Sequence, residues 1–358
     1  MSIKNKYIGI LLTAAMMLLS ACSSDDPEAQ TVTTGNEPVG KVVQLMSYAS
    51  PFTDKALSHR SAPAGFTAYT PDKTTSMGFY MLLSENPETD WASPQEEKII
   101  YVLNKWHAYF DVTPDKTYNI YGYMPKSGEM SSTLVKTTAD AATLTITGIK
   151  PVTTDDICII TGVKNKDEGL KEGQFSWSWP ISAEDDNYKI HLLMDHLYAS
   201  VKFSLKVSEE YAQLRTIKLK TMKLRTDKGS VKAVISLSHN TTGASPISDV
   251  TYTATGSGDE IILFNDDEGT ALDKTTPLIM NACFAHTLSD NLTLISTYDV
   301  YDSKGNLIRQ NCTAPPNKIP NLEAARGQRV QVNITVSPSY LHVMSDPDLN
   351  DPTIIIDN

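Results

Sequence analysis

YASVKFSLKV, residues 198–207, is the stretch that decides the fold. Val201, Phe203, Leu205 and Val207 occupy alternate positions, with Lys202, Ser204 and Lys206 between them. Alternation with period two marks a strand with one face in a core and the other in water. The pattern returns in Val330, Val332, Ile334 and Val336. Between these stretches, residues 217–224 change parity: Ile217 and Leu219 are odd, Met222 and Leu224 even. One extra residue produces such a switch, which predicts a β-bulge near Lys220 or Thr221. Further strands are expected over residues 231–237, 260–264, 277–282 and 292–301. The last of these turns at Ser303-Lys304-Gly305-Asn306 into 307–310, a hairpin signal.

The first half reads the same way, less regularly, with strands expected at 41–46, 65–69, 78–82, 98–102, 106–110, 118–123, 143–149, 156–161 and 175–179. Helical periodicity is scarce, so the fold class is all-β, with turn clusters at sandwich-like intervals. A boundary is expected near 180–188, where the acidic ISAEDDN (181–187) follows Pro180. It separates an N-terminal domain, 41–185, from a C-terminal one, 186–358. A long loop within one domain reads similarly.

The N-terminus carries a different kind of information. Lys4 and Lys6 precede an apolar run over 7–19 that ends in Leu19-Ser20-Ala21-Cys22. A charged start, an apolar stretch too short to span a bilayer and small residues before a cysteine make residues 1–21 a lipoprotein signal peptide. Cys22 becomes the acylated N-terminus, and more than one chain is needed for stable anchoring in the membrane. Residues 22–40, which include SSDDPE (23–28), lack apolar periodicity and read as an acidic tether. Acidic residues directly behind a lipidated cysteine resemble surface-export signals of some anaerobic Gram-negative lipoproteins. The location expected from that resemblance is the outer face of the cell outer membrane.

The chain has 358 residues and a formal charge of −11, which becomes −13 when Lys4 and Lys6 leave with the signal. With no basic patch against that balance, nucleic acid is not an expected partner. Roughly 330 mature residues suit two domains. Beyond Cys22 the cysteines are Cys158, Cys283 and Cys312, too few and too scattered for a disulfide scaffold. Cys158 lies in an apolar run and reads as a buried free thiol. Whether Cys283 and Cys312 pair is open at this level.

No catalytic constellation is legible, so no enzymatic activity, cofactor or metal is expected. The chain lacks G-x-S-x-G, H-E-x-x-H, a P-loop and a dinucleotide fingerprint. Glycoside hydrolysis, whose two carboxylates can lie far apart in sequence, has no positive support. In HLLMDH (191–196), His191 and Asp195 would share a strand face with His196 on the other, so no three-ligand cluster forms locally. Asp346, Asp348, Asn350 and Asp357 imitate a calcium loop, but Asp351 and Pro352 stand where the hinge glycine belongs. The sequons at Asn240, Asn291, Asn311 and Asn333 carry no weight behind a bacterial lipoprotein signal.

MDHLYASVKFSLKV (194–207), the lysine-rich LRTIKLKTMKLRT (214–226) and, far downstream, GQRVQVNITVSPSYLHVMSDPDLNDPTIIID (327–357) resemble the C-terminal domain of the fimbrillin family, subunits of type V pili. In the first half the resemblance rests on the lipobox, KVVQLMS (41–47) and YGYMP (121–125). It implies two tandem transthyretin-like β-sandwiches, exported as a lipoprotein and cut by an arginine-specific or trypsin-like protease after the first strand. The opened groove would then accept a strand from another pilus subunit, β-augmentation used for polymerisation. A sandwich missing a strand exposes unpaired backbone and an apolar slot that a partner strand must cover.

On this chain the strand removed would be Val42, Val43, Gln44, Leu45 and Met46. The cut would fall in SPFTDKALSHRSAPAG (50–65), where Arg60 is the only arginine and Lys55 the fallback. The donor candidate is Thr353, Ile354, Ile355 and Ile356, which would equally serve as the closing strand of their own domain. In that family, anchors keep their lipid uncut and tips accept a strand without donating one, so a donor-like tail favours a stalk subunit. The alternative is a non-polymerising surface lipoprotein, whether anchor, tip adhesin or binder of glycan or host protein. Trp91, Trp106, Trp177 and Trp179 are its candidate contacts, and core packing accounts for them as well.

Overall fold

The structure is a computed structural model. It describes residues 41–49, 51–54, 67–68, 74–83, 95–102, 105–110, 116–126, 129–138, 141–164, 178–180, 189–238, 246–285, 292–319, 322, 324–340 and 347–357. The described strands up to residue 180 are β1 (Lys41–Ala49), β2 (Thr53–Asp54), β3 (Thr67–Ala68), β4 (Thr74–Leu83), β5 (Gln95–Val102), β6 (Lys105–Phe110), β7 (Thr117–Lys126), β8 (Ser131–Thr138), β9 (Ala141–Ile149), β10 (Val152–Thr153), β11 (Cys158–Lys164) and β12 (Ser178–Pro180). Beyond it come β13 (Lys189–His196), β14 (Ala199–Val207), β15 (Arg215–Thr226), β16 (Ser230–Ser238), β17 (Ile247–Thr255) and β18 (Asp259–Ala271). The chain closes with β19 (Leu278–Phe284), β20 (Thr293–Asp302), β21 (Leu307–Thr313), β22 (Asn317–Lys318), β23 (Gln328–Tyr340) and β24 (Pro347–Asp357). A helix, α1 (Glu209–Leu214), is capped by Ser208, whose hydroxyl accepts from the Tyr211 N–H at 3.3 Å. The fold is all-β, built as sheets packed face to face.

The strands form four sheets. The largest runs β11-β13-β1-β6-β5-β4-β7-β12, with β3 on β1 and a short pairing that ties β7 to β11. It faces the sheet β17-β16-β9-β8 across a core that includes Tyr121, Tyr123, Leu144, Ile146, Ile159, Val231 and Ile235. The third sheet, β10-β19-β14-β23 with β2 and β24 on β23, faces the fourth, β18-β15-β20-β21. Their shared core includes Phe203, Leu205, Leu219, Leu224, Leu294 and Ile334. Val201, Phe203 and Leu205 are fully buried, as the alternation of YASVKFSLKV requires.

Segments from both sides of residue 185 serve each core. β13 joins the first sheet through β11 and β1, and the hairpin β16–β17 completes the second sheet by pairing with β9. The Tyr252 hydroxyl of that hairpin donates to the Leu197 carbonyl. In return, β10 pairs with β19 and β2 with β23.

The parity switch in β15 is resolved as its pattern predicts. The register slips between Leu219 and Thr221 against both β18 and β20, leaving Lys220 as the inserted residue. Met222, Leu224 and Thr226 thereby return to the buried face. The hairpin β20–β21 is closed by Asp302, whose Oδ1 accepts from Lys304 N–H at 2.9 Å and Asn306 N–H at 2.8 Å. Gly305 there has φ +82°, a left-handed conformation suited to glycine.

Besides the two-residue strands β2, β10 and β22, three strands have no counterpart among those expected from the sequence: β8, β13 and β17. In β17 only Ile247 is buried, because the strand lies at a sheet edge, with Val250, Tyr252 and Ala254 half-buried and Thr251, Thr253 and Thr255 exposed. Further, β24 is already extended at Pro347, so most of the calcium-like stretch is strand rather than loop.

Candidate functional site

The residues expected to leave on maturation lie in the middle of the largest sheet. β1 pairs antiparallel with β6, setting Val42 opposite Tyr109, Val43 opposite Ala108 and Leu45 opposite Trp106. Its other edge runs parallel to β13, with Gln44 opposite Lys189, Leu45 opposite Ile190 and Met46 opposite His191. β13 reads KIHLLMDH and is buried on both faces, which is why its apolar run does not alternate. At the end of β1, Ser47 and Ala49 are buried. The Tyr48 hydroxyl lies 3.3 Å from His191 Nδ1, and the two rings stack at 5.7 Å.

β2 continues the same segment onto the third sheet. Thr53 N–H donates to the Gly327 carbonyl at 3.0 Å, and Arg329 Nε donates to Asp54 Oδ1 at 3.1 Å. Phe52, just before it, lies over the His196 ring with centroids 3.8 Å apart and planes 19° apart. Residues 41–54 are therefore fastened to the first sheet by β1 and to the third by β2.

The candidate donor residues lie on β24, antiparallel to β23: Thr353 opposite Ser337, Ile354 opposite Val336, Ile355 opposite Thr335 and Ile356 opposite Ile334. Ile356 packs against the second core. The other edge of β23 is held by β14, and β24 has no second partner strand among the described residues. The tail thus closes its own sheet, which is one of the two roles open to it from sequence.

A buried polar node sits under Phe52. Asp156 and Cys158 stand two residues apart, and Cys158 lies opposite His196 in the β11–β13 register, so all three share a face. His196 Nδ1 is 2.9 and 3.0 Å from the Asp156 carboxylate oxygens and 3.6 Å from Cys158 Sγ. Burial, reinforced by the Asp156 and Asp195 charges, pushes the Cys158 thiol well above its ordinary range. On the neighbouring position Asp195 pairs with Arg326 at 2.7 Å, and Arg326 also donates to the His196 carbonyl at 2.9 Å. Burial likewise raises the Tyr252 hydroxyl, opposed by the Arg326 charge. The opposed faces of His191 and His196 agree with the sequence reading. The node arises from a partner strand, and its only local signal was the D-x-C spacing at 156–158.

Cys22, Lys55, Arg60, Trp91 and Trp177 lie outside the described residues; Trp106 and Trp179 lie on β6 and β12. Cys158, Cys283 and Cys312 are in no disulfide among the described residues, Cys283 lying on β19 and Cys312 on β21 in different sheets. No helix among the described residues is long and apolar enough to cross a membrane.

No protein-family model matches the chain, and no curated protein matches it. Solved structures do. A candidate cell adhesion protein from Bacteroides fragilis is 10% identical with a TM-score of 0.40, the match covering 89% of this chain and 97% of that one. A fimbrial protein from Bacteroides vulgatus is 13% identical with a TM-score of 0.34, over 88% and 98% of the two chains. The fimbrial anchor protein Mfa2 from Porphyromonas gingivalis is 12% identical with a TM-score of 0.19, over 88% and 97%. Likeness at this level assigns neither activity nor partner.

Proposed function

We propose that this protein is a structural, non-enzymatic subunit of a cell-surface pilus, exported as a lipoprotein on Cys22, cut at Arg60 and polymerised by strand exchange in support of adhesion. The observation that carries the reading is the place of β1, an N-terminal strand bonded along both edges in the interior of a sheet. Its loss would leave β6 and β13 facing one another across a slot about 10 Å wide, the room one strand occupies at ~4.8 Å per neighbour. Both sides of that slot are unpaired backbone, which an added strand satisfies. A cut after Arg60 would release β2 and Phe52 along with β1, because all three precede it in the chain.

The tail of another subunit is the proposed occupant. β24 spans 11 residues against the 9 of β1, so it can span the slot, and its single ladder in its own sheet makes it the easier of the two to withdraw. The sandwich that holds β1 would then be the acceptor body and the one that holds β24 the donor body, with the lipid holding the uncut precursor on the outer membrane. Expressing the Arg60→Ala and Lys55→Ala variants in the native host tests the reading. Loss of the unheated electrophoretic ladder in Arg60→Ala supports it, and an unchanged ladder in the double variant would overturn it.

The pairing of β24 with its own β23 favours one second reading, a monomeric surface lipoprotein that binds glycan or host protein with its N-terminus intact. The wild-type chain run beside those variants separates the two, because a monomeric binder forms no ladder even with Arg60 and Lys55 in place.

A further inference from the structure

We propose that Asp156, Cys158 and His196 form a binding site for a borderline-soft divalent cation, with zinc the best fit. The three donor atoms lie within 4.8 Å of one another, and they bring a carboxylate, a thiol and an imidazole, the three side-chain types that zinc accepts. At ordinary zinc bond lengths a tetrahedral ion holds an imidazole nitrogen and a thiolate about 3.6 Å apart, and a nitrogen and a carboxylate oxygen about 3.3 Å apart. The observed separations are 3.6 Å from His196 Nδ1 to Cys158 Sγ and 2.9 Å from His196 Nδ1 to Asp156 Oδ2. Opening the second by a few tenths of an ångström admits the ion, and no strand need move.

The setting favours a site over a chance cluster. Cys158 and His196 sit opposite one another in a strand pair inside the largest sheet, so their backbones are held by the ladder rather than by a loop. Both are buried, while the Asp156 side chain keeps 25% of its surface exposed and offers a way in. The Phe52 ring covers His196, an apolar cap of the kind that limits exchange at a bound metal. Three protein donors leave one tetrahedral position for water. On binding, Cys158 coordinates as the thiolate and its proton passes to solvent, and His196 coordinates as neutral imidazole through Nδ1.

The test is titration of the full chain with cobalt(II), followed by displacement with zinc(II). One equivalent of cobalt should produce a near-ultraviolet thiolate-to-cobalt charge-transfer band, retained in Cys312→Ser, lost in Cys158→Ser and abolished by zinc. Should Cys158→Ser fail to fold, Asp156→Asn tests the same site from its exposed edge. Its affinity should fall by more than the roughly 10–100-fold that loss of an outer-shell partner costs. A folded wild-type chain without the band, a band that survives Cys158→Ser, or an Asp156→Asn affinity equal to wild type would each overturn the site and leave a plain hydrogen-bonded triad. None of these outcomes depends on pilus assembly.

Discussion

β1 and β24 are the first and last described strands, and they are held in opposite ways. β1 is bonded along both edges, to β6 and β13, in the interior of the largest sheet. β24 is bonded along one edge only, to β23. An interior strand can leave only if the chain is cut and something replaces it, because its loss strands two ladders at once. An edge strand can leave and return with one ladder broken and the core largely closed beneath it. A chain that gave up one strand and lent another would need this asymmetry, a doubly bonded strand to be replaced and a singly bonded one to be withdrawn.

The sharpest way to break the contrast is to delete each strand separately. Removing residues 41–54 without supplying a partner strand should cost more than about 5 kcal/mol, enough to erase the stability of an ordinary domain. Denaturant melts and dye binding to exposed apolar surface measure it; a cooperative, near-native melt would show that β1 is dispensable. Removing 353–358 should leave a folded monomer that has lost ladder hydrogen bonds of about 1 kcal/mol each, and should abolish assembly. A truncated chain that still polymerised would reject the tail as donor.

Next in size are the strands that border the two. Leu193→Ala on β13 and Ile334→Ala on β23 each empty a fully buried position and should each cost roughly 2–5 kcal/mol by thermal or chemical melting. The first should also loosen β1, read as faster proteolysis between residues 50 and 65, while the second should not. Equal proteolysis in both variants would dissolve the distinction.

The two cores should also fail at opposite ends of the pH scale. Around the first, burial raises the hydroxyls of Tyr80, Tyr121, Tyr198 and Tyr252. Their neutral forms support the fold fully below the unfolded value near 10, and that support is lost as the pH rises from there toward the folded values. Around the second core, hydrogen bonds lower Glu209 on α1, Asp266 on β18, Asp273 just after β18 and Asp302 at the end of β20. Asp273 falls to about 2, chiefly through the Thr275 hydroxyl and the Thr276 and Thr275 N–H groups. Such support is present above the unfolded value and lost as the pH falls through the folded one, between roughly 4 and 2 for Asp273. Amide exchange should therefore rise first around 260–310 in acid and first around 117–160 in alkali. The smallest effect belongs to Asp54→Ala, which breaks an exposed pair with Arg329 and should cost at most about 1 kcal/mol.

Much of this was legible in the sequence wherever one face of a strand is buried and the other wet. YASVKFSLKV and the parity switch at Lys220 show the core face and the bulge without further help. The exchange of strands across residue 185 was not legible, since a hairpin such as β16–β17 carries the same alternation whichever sheet it joins. β8 and β17 give weak period-two signals because they are edge strands rich in Ser and Thr, and β13 gives none because both of its faces are buried. The node at Asp156, Cys158 and His196 was hidden for a similar reason. Two members are two residues apart, but the third arrives from β13, and only the register shows that Cys158 and His196 meet.

The most direct test of the account is the intact mass and N-terminal sequence of the protein recovered from the native cell surface, run beside unheated electrophoresis. The account predicts a chain that begins at Ser61, has lost β1 and β2, and migrates as a ladder. A monomer that begins at a diacylated Cys22 with β1 still in place would contradict it.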